Sequence, residues 1–301
     1  MTMTTPLFYG FIFVLGLAIG SFLNVLGLRY RPNRFLLASP VWSGRSRCPH
    51  CGKTLAWYEL IPVVSFIYLR GACHTCVHPL SVQYPAVELA AGATLVAVPF
   101  YLASLYDAPL FAANGGMLAW FYFLSVVWVL AILALILMSI IDYRQRIIPD
   151  EIVAVIAALG VVKIAVLASY DQVFLIQQSF LQNYALLGQF WNGMVLNHVL
   201  GAVGALLILG SIVLITRGKG MGMGDVKLGG ALGLLFGWPD IFMVIVFAFL
   251  AGTLVTLPQL LWKTKRLNDA VPFGPFLAVG ALATFFFGYT IIRSYFSLFG
   301  I

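Results

Sequence analysis

Met117–Asp142 reads MLAWFYFLSVVWVLAILALILMSIID: 25 consecutive residues without a charge, then a carboxylate. As a helix that run rises about 38 Å, more than the roughly 30 Å of a bilayer's hydrocarbon core. Six more stretches share its character: Leu7–Leu28, Leu89–Tyr106, Ile152–Tyr170, Met194–Thr216, Ile241–Trp262 and Pro272–Ile292. An eighth, Val226–Gly237, has only twelve residues, about 18 Å of helix. The 301-residue chain is 62% hydrophobic and 9% charged, where a soluble domain carries about 25% charge. The expectation is an all-α polytopic membrane protein with about eight transmembrane helices. Leu7–Leu28 lacks a small-residue cleavage site and reads as a retained helix, not a signal peptide.

Charge orients the chain. If all eight stretches cross and the N-terminus lies outside, fifteen of the seventeen basic residues fall on one side. They include Arg29, Arg31, Arg34, Arg45, Arg47, Arg144, Arg146, Arg217, Lys227, Lys263, Lys265 and Arg266, while the outer loop Asp171–Gly193 has none. Lys and Arg accumulate on the cytoplasmic side, so that side is cytoplasmic. Were Val226–Gly237 not to cross, Lys263, Lys265 and Arg266 would land outside. The formal charge of +7 then reflects topology and attraction to anionic lipid headgroups. Membrane lipids are the expected partners, and no nucleic acid is.

The order of segments is a first helix, residues 1–28, a cytoplasmic module, 29–83, and a seven-helix domain, 84–301. The module holds all four cysteines, in CPHC at Cys48 and Cys51 and in CHTC at Cys73 and Cys76. Two such pairs 21 residues apart match a four-thiolate zinc site. Disulfides are the alternative, but cytosolic thiols are kept reduced. Four thiolates close the metal's shell, so the zinc would be structural. His50, His74 and His78 read as knuckle and surface residues.

Acids are few. Asp142 ends the third apolar stretch, and Asp225, in GMGMGDVKL, begins the short one. One stretch runs inward and the next-but-two outward, so both aspartates reach the cytoplasmic face from different helices. Carboxylates at membrane depth mark functional sites. Two that face each other share a proton, and together they can activate water against a carbonyl and protonate the leaving amine. No serine–histidine pair or helical HExxH offers an equal rival. Gly218, Gly220, Gly222 and Gly224 would permit unusual backbone and the approach of a peptide, with Gly222 and Gly224 nearest the carboxylate. The alternative is a flexible loop with Asp225 as a helix cap. Asp150, after Pro149, reads as a helix-start acid. Glu88 pairs with a basic residue or touches a cofactor. Lys163 reads as a side chain that snorkels to the outer surface.

Five stretches, in order, carry a resemblance: GSFLNV (Gly20–Val25), CPHC through RGACHTC (Cys48–Cys76), YPAVE (Tyr84–Glu88), IDYRQRIIPD (Ile141–Asp150) and GMGMGDVKL (Gly220–Leu228). VPFGPFLAVG (Val271–Gly280) adds a sixth. The chain resembles the bacterial type IV prepilin peptidases, GxGD aspartic membrane proteases. The resemblance implies catalytic Asp142 and Asp225 and zinc on Cys48, Cys51, Cys73 and Cys76. It implies removal of a basic leader from type IV prepilins and pseudopilins after a glycine, and methylation of the new N-terminus with S-adenosylmethionine. It also implies a bacterial cytoplasmic (inner) membrane location. No nucleotide-binding fingerprint appears in the sequence, so the methyl transfer rests on resemblance alone. A membrane transporter or assembly scaffold with a zinc module is the competing class, since broken helices with buried carboxylates also serve transport. The two halves show no internal repeat, which weakens that alternative.

Overall fold

The computed structural model describes residues 6–32, 35–36, 38–105, 115–168, 179–185, 193–262 and 271–299. Arg34, the cluster Lys263, Lys265 and Arg266, and the outer loop apart from 179–185 and Gly193 lie outside them. All eight apolar stretches are helices: α1 (Pro6–Arg29), α2 (Gln83–Leu105), α3 (Gly115–Gln145), α4 (Asp150–Leu167), α5 (Met194–Thr216), α6 (Met223–Phe236), α7 (Asp240–Leu261) and α8 (Gly274–Ser297). The described residues contain no β-strand beyond two isolated bridges. By length and composition six helices can span a membrane. The two others are α4, with Asp150, Glu151 and Lys163 in 18 residues, and α6, with 14. The chain divides into two compact units, residues 1–140 and 141–301.

In the first unit α1 and α2 run antiparallel in a glycine-lined contact. A β-carbon at Gly16 would lie 2.6 Å from the Gly92 Cα, and one at Gly20 would lie 2.6 Å from the Glu88 Cα. Small residues four apart let membrane helices approach backbone to backbone. Buried Asn24 continues the register, donating from Nδ2 to the Tyr84 carbonyl (3.1 Å). At the end of α1 the Arg29 guanidinium donates to the carbonyls of Ser43, Gly44 and Arg45 (2.8–3.2 Å). Glu88 is buried, and it meets the Ser21 side chain and accepts from the Val63 amide (2.7 Å). Its recorded partners are thus a backbone amide and a hydroxyl.

In the second unit the short α6 is enclosed. Ten of its 14 residues are buried, from Asp225 to Phe236. Gly233 would place a β-carbon 2.5 Å from the Ala202 Cα on α5, and Gly160 on α4 would place one 2.9 Å from the Leu234 carbonyl carbon. Glycine is required where helix axes come this close. α7 and α8 pack against each other in the same way, since a β-carbon at Gly280 would collide with the Val244 carbonyl oxygen.

Lys163 does not snorkel. It is buried and donates from Nζ to the Leu235 carbonyl at the end of α6 (2.8 Å), within electrostatic reach of Asp240. The α6 terminus leaves carbonyls without intrahelical donors, and a buried ammonium satisfies one of them. Asp240 accepts in turn from the Ser179 hydroxyl (2.5 Å) and the Phe180 amide (2.9 Å). His198 packs beneath Gly237, whose β-carbon would meet Nδ1 at 2.8 Å. Phe180 is buried between Phe236 and Phe285, with ring centroids 5.8 and 4.7 Å away.

Candidate active site and metal centre

Asp142 lies one residue into the second unit, in the last turn of α3, and is buried. Its Oδ2 accepts from the Gly274 amide at 3.1 Å. Gly274 opens α8, after the Val-Pro-Phe segment and before Pro275. Free amides at a helix start favour a carboxylate. α3 then ends in a left-handed residue, Arg146, at φ 56°.

Asp225 sits in the first turn of α6 and is also buried. Its Oδ2 accepts from the Gly222 amide at 3.1 Å, while Oδ1 is buried without a hydrogen-bond partner. The two carboxylates are close enough for their charges to interact. Two buried acids from separate helices therefore lie in one unit within electrostatic reach of each other, and among the described residues each accepts through one oxygen from a backbone amide. Among the described residues that leaves Oδ1 of each carboxylate without a bond.

Depth follows from helix register. Gly233 opposes Ala202, Gly230 opposes Leu206, and Gly210 faces Val226. In this antiparallel pairing Asp225 is level with about Ser211, five residues before α5 ends at Thr216. That places the carboxylate roughly 8 Å below the end of α5.

The glycines have more specific roles than a uniformly pliable run. Only Gly218 of the four takes a positive φ, +73°. Gly222 lies at φ −84° and supplies the amide that Asp225 binds. Gly224 abuts Ile148, where a β-carbon would stand 3.2 Å from the isoleucine Cβ. Asp150 is separate from the pair. It is exposed and bonds Lys227 at 2.8 Å, an ion pair of the kind worth at most about 1 kcal/mol in water.

The four cysteine sulfurs converge within 4.8 Å of one another. Two similar knuckles deliver them. The Cys48 amide donates to Lys53 and the Cys73 amide to His78, while Gly52 and Val77 donate back to the carbonyls of Cys48 and Cys73. Both returning residues have positive φ, 71° and 55°. A tetrahedral zinc with bonds of about 2.3 Å would set sulfurs about 3.8 Å apart. Cys48 and Cys76 stand 3.9 Å apart, so the donor set fits that ion. The amides of Cys76 and Thr75 pull the Cys73 thiol down to about 6. The His78 amide acts the same way on Cys76, but burial and the neighbouring thiols outweigh it and move that group up to about 11. A divalent cation would favour four thiolates together. His50 and His78 stack on each other, centroids 3.9 Å apart.

Two contacts escaped sequence reasoning, the Gly274 amide on Asp142 and the buried Lys163–Asp240 group. Gly274 falls within a noted motif, but the atom that matters is its backbone N–H. The Lys163–Asp240 group could be sought as charges inside apolar stretches, yet Lys163's bonded partner is a main-chain carbonyl.

Comparison with known proteins covers both units. A sequence model of the type IV leader peptidase family matches residues 128–257, and one of the bacterial peptidase A24 N-terminal domain matches residues 14–102. The prepilin leader peptidase/N-methyltransferase of Burkholderia pseudomallei strain 1026b is 32% identical over 92% of this chain and 85% of its own. The protein of that name from Aeromonas hydrophila is 29% identical over 96% and 94%, and that from Stutzerimonas stutzeri is 30% identical over 94% and 91%. No solved structure gives a significant match.

Proposed function

The chain belongs to the type IV leader peptidase family, and from that premise we propose that it is a prepilin leader peptidase and N-methyltransferase in which Asp142 and Asp225 activate the attacking water. It removes the basic leader of type IV prepilins and pseudopilins after a glycine, then methylates the exposed amino group. The observation that carries the catalytic assignment is that two buried carboxylates, from α3 and α6, lie within electrostatic reach of each other, with Asp225 Oδ1 left unpartnered among the described residues.

Close carboxylates cannot both ionise easily, so the pair holds one proton. Its ionised member takes a proton from water as the oxygen attacks the scissile carbonyl. The protonated member donates to the carbonyl oxygen and later to the leaving amine. The amides of Gly222 and Gly274 orient the carboxylates. The substrate's apolar helix enters sideways from lipid and brings its junction to the segment around Gly222 and Gly224.

Zinc on Cys48, Cys51, Cys73 and Cys76 holds the module together and takes no part in cleavage, because four thiolates leave no open position. S-adenosylmethionine supplies the methyl group. The described residues present no strand–glycine loop–helix cradle for a nucleoside, and no residue is assigned to it. The basic-residue bias supports a bacterial inner-membrane protein with its N-terminus outside, all eight helices crossing, and the aspartates at the cytoplasmic face. No described contact favours the transporter alternative.

Incubating purified protein with a prepilin in detergent tests the reading. Asp142→Asn and Asp225→Asn should each lower leader removal by at least about a hundredfold with helicity and thermal unfolding unchanged. Normal cleavage by the Asp142 variant would reject its assignment and redirect attention to Asp150. One added methyl mass on the mature pilin reports the second activity.

A further inference from the structure

Residues 57–68, between the two knuckles, are built inside out for a soluble module. Trp57, Tyr58, Ile61, Val64, Ile67 and Tyr68 are exposed, Trp57 at 78% and Tyr68 at 79%. The one acid among them, Glu59, points inward, where it accepts from the Ala56 amide (2.7 Å) and pairs with Lys53 (3.5 Å). A water-facing turn would reverse this arrangement, and a contiguous exposed apolar patch marks an interaction surface.

The backbone fixes where this patch lies. The Val63 amide, in its middle, bonds Glu88 on α2. Glu88 is level with Gly20 on α1, and the same pairing continues through Asn24 and Tyr84. α1 runs nine residues beyond Gly20, to Arg29. Allowing for the lean of the Glu88 side chain toward its own helix start, Val63 sits about 10 Å below the Arg29 end of α1. α1 is 24 residues long, about 36 Å against a hydrocarbon core of about 30 Å. Even if the whole excess of about 6 Å projected on the module's side, Val63 would remain inside the boundary.

We propose that residues 57–68 form an interfacial anchor that inserts into the lipid leaflet on the module's side of the membrane. Ile61, Val64 and Ile67 meet acyl chains, continuous with the lipid-facing surface of α1 and α2. Trp57, Tyr58 and Tyr68 lie at headgroup depth, where such rings concentrate. Exposed Arg70 stands beside them to meet anionic headgroups. Interfacial segments of this type sink about 5–10 Å, which agrees with the depth of Val63. The inference is independent of the catalytic assignment of Asp142 and Asp225.

The test uses the full zinc-loaded chain in phosphatidylethanolamine/phosphatidylglycerol vesicles. Benzoylphenylalanine is introduced in place of Trp57 or Ile67, with Leu15 on the exposed face of α1 and His50 on a knuckle as references. After irradiation, lipid adducts are expected at 57, 67 and 15 and not at 50. Absence of lipid adducts at 57 and 67 while position 15 is labelled overturns the proposal. So does cross-linking of those two sites to added prepilin in place of lipid, which would make the surface a substrate dock. Brominated lipids give a second reading without the probe. The Trp57 signal, taken as wild type minus Trp57→Phe, should be quenched more by bromines high on the acyl chain than by ones near its end. No quenching from either depth rejects insertion.

Discussion

At the residue scale, five buried acids accept from main-chain amides: Asp142 from Gly274, Asp225 from Gly222, Glu59 from Ala56, Glu88 from Val63 and Asp240 from Phe180. For Glu59, outside the membrane helices, the consequence for pH can be derived. The Ala56 amide, then the Lys53 ammonium, hold its carboxyl below the usual range against the opposing effect of burial. A carboxyl whose pKa is lower in the folded state stabilises that state fully above its unfolded value, near about 4.3. The stabilisation is lost as pH falls through the lower, folded value. Glu59→Gln should therefore release zinc at a higher pH than the wild type, with the gap closing in strong acid. A zinc-sensitive dye during acid titration measures this, and identical release curves would remove Glu59 from the module's stability. Asp142, Asp225 and the cysteines stood out in the sequence as candidates because a charge or thiol pair is rare in so apolar a chain. Lys163 was not, because its bonded partner is a carbonyl on a distant helix, and periodicity within α4 carries no trace of it.

Elements meet here through absent side chains. α6 touches α4 and α5 at Gly160, Gly201 and Gly233, each with a hypothetical β-carbon 2.5–2.9 Å from foreign backbone. Gly233→Val should destabilise the protein by about 1–3 kcal/mol or more, the usual cost of overpacking a tight interior. Gly204→Ala, on α5 with nothing within 4 Å of its β-carbon, should leave stability nearly unchanged. Unfolding in mixed micelles compares them, and equal midpoints would contradict the packing described. The existence of all eight helices was legible from apolar run length. Their neighbours were not: glycines in an apolar run look alike whether they face lipid, a helix or a turn. The GKGMGMG run (Gly218–Gly224) shows the limit well, since one glycine turns the chain, one offers an amide and one admits Ile148.

For the whole molecule, two classes of stabilisation are kept apart along the chain. Residues 43–80 contain few helical turns and depend on two knuckles, whereas the eight long helices satisfy their own backbone, as lipid requires. A strong chelator at neutral pH should expose residues 43–80 to protease while far-UV helicity stays nearly constant. Mass spectrometry of the fragments and circular dichroism on the same sample check both halves of that statement. Global loss of helix on chelation would show that metal supports the membrane part as well. Membrane class and a four-thiol centre were readable from composition and spacing. The inverted turn at 57–68 was not, because its meaning lies in one hydrogen bond from Val63 to Glu88 across 25 residues of sequence.

The ring of Phe180 sits between Phe236 and Phe285, and the chain carrying it is tied down by Asp240. This lies at the end of α6 remote from Asp225. A hydrolase working within a bilayer must admit solvent from one side without shorting the proton gradient that energises the cell. An aromatic stopper beyond the far end of the shortest helix would close that end to solvent, so that protons reaching the acid pair would leave by the way they came.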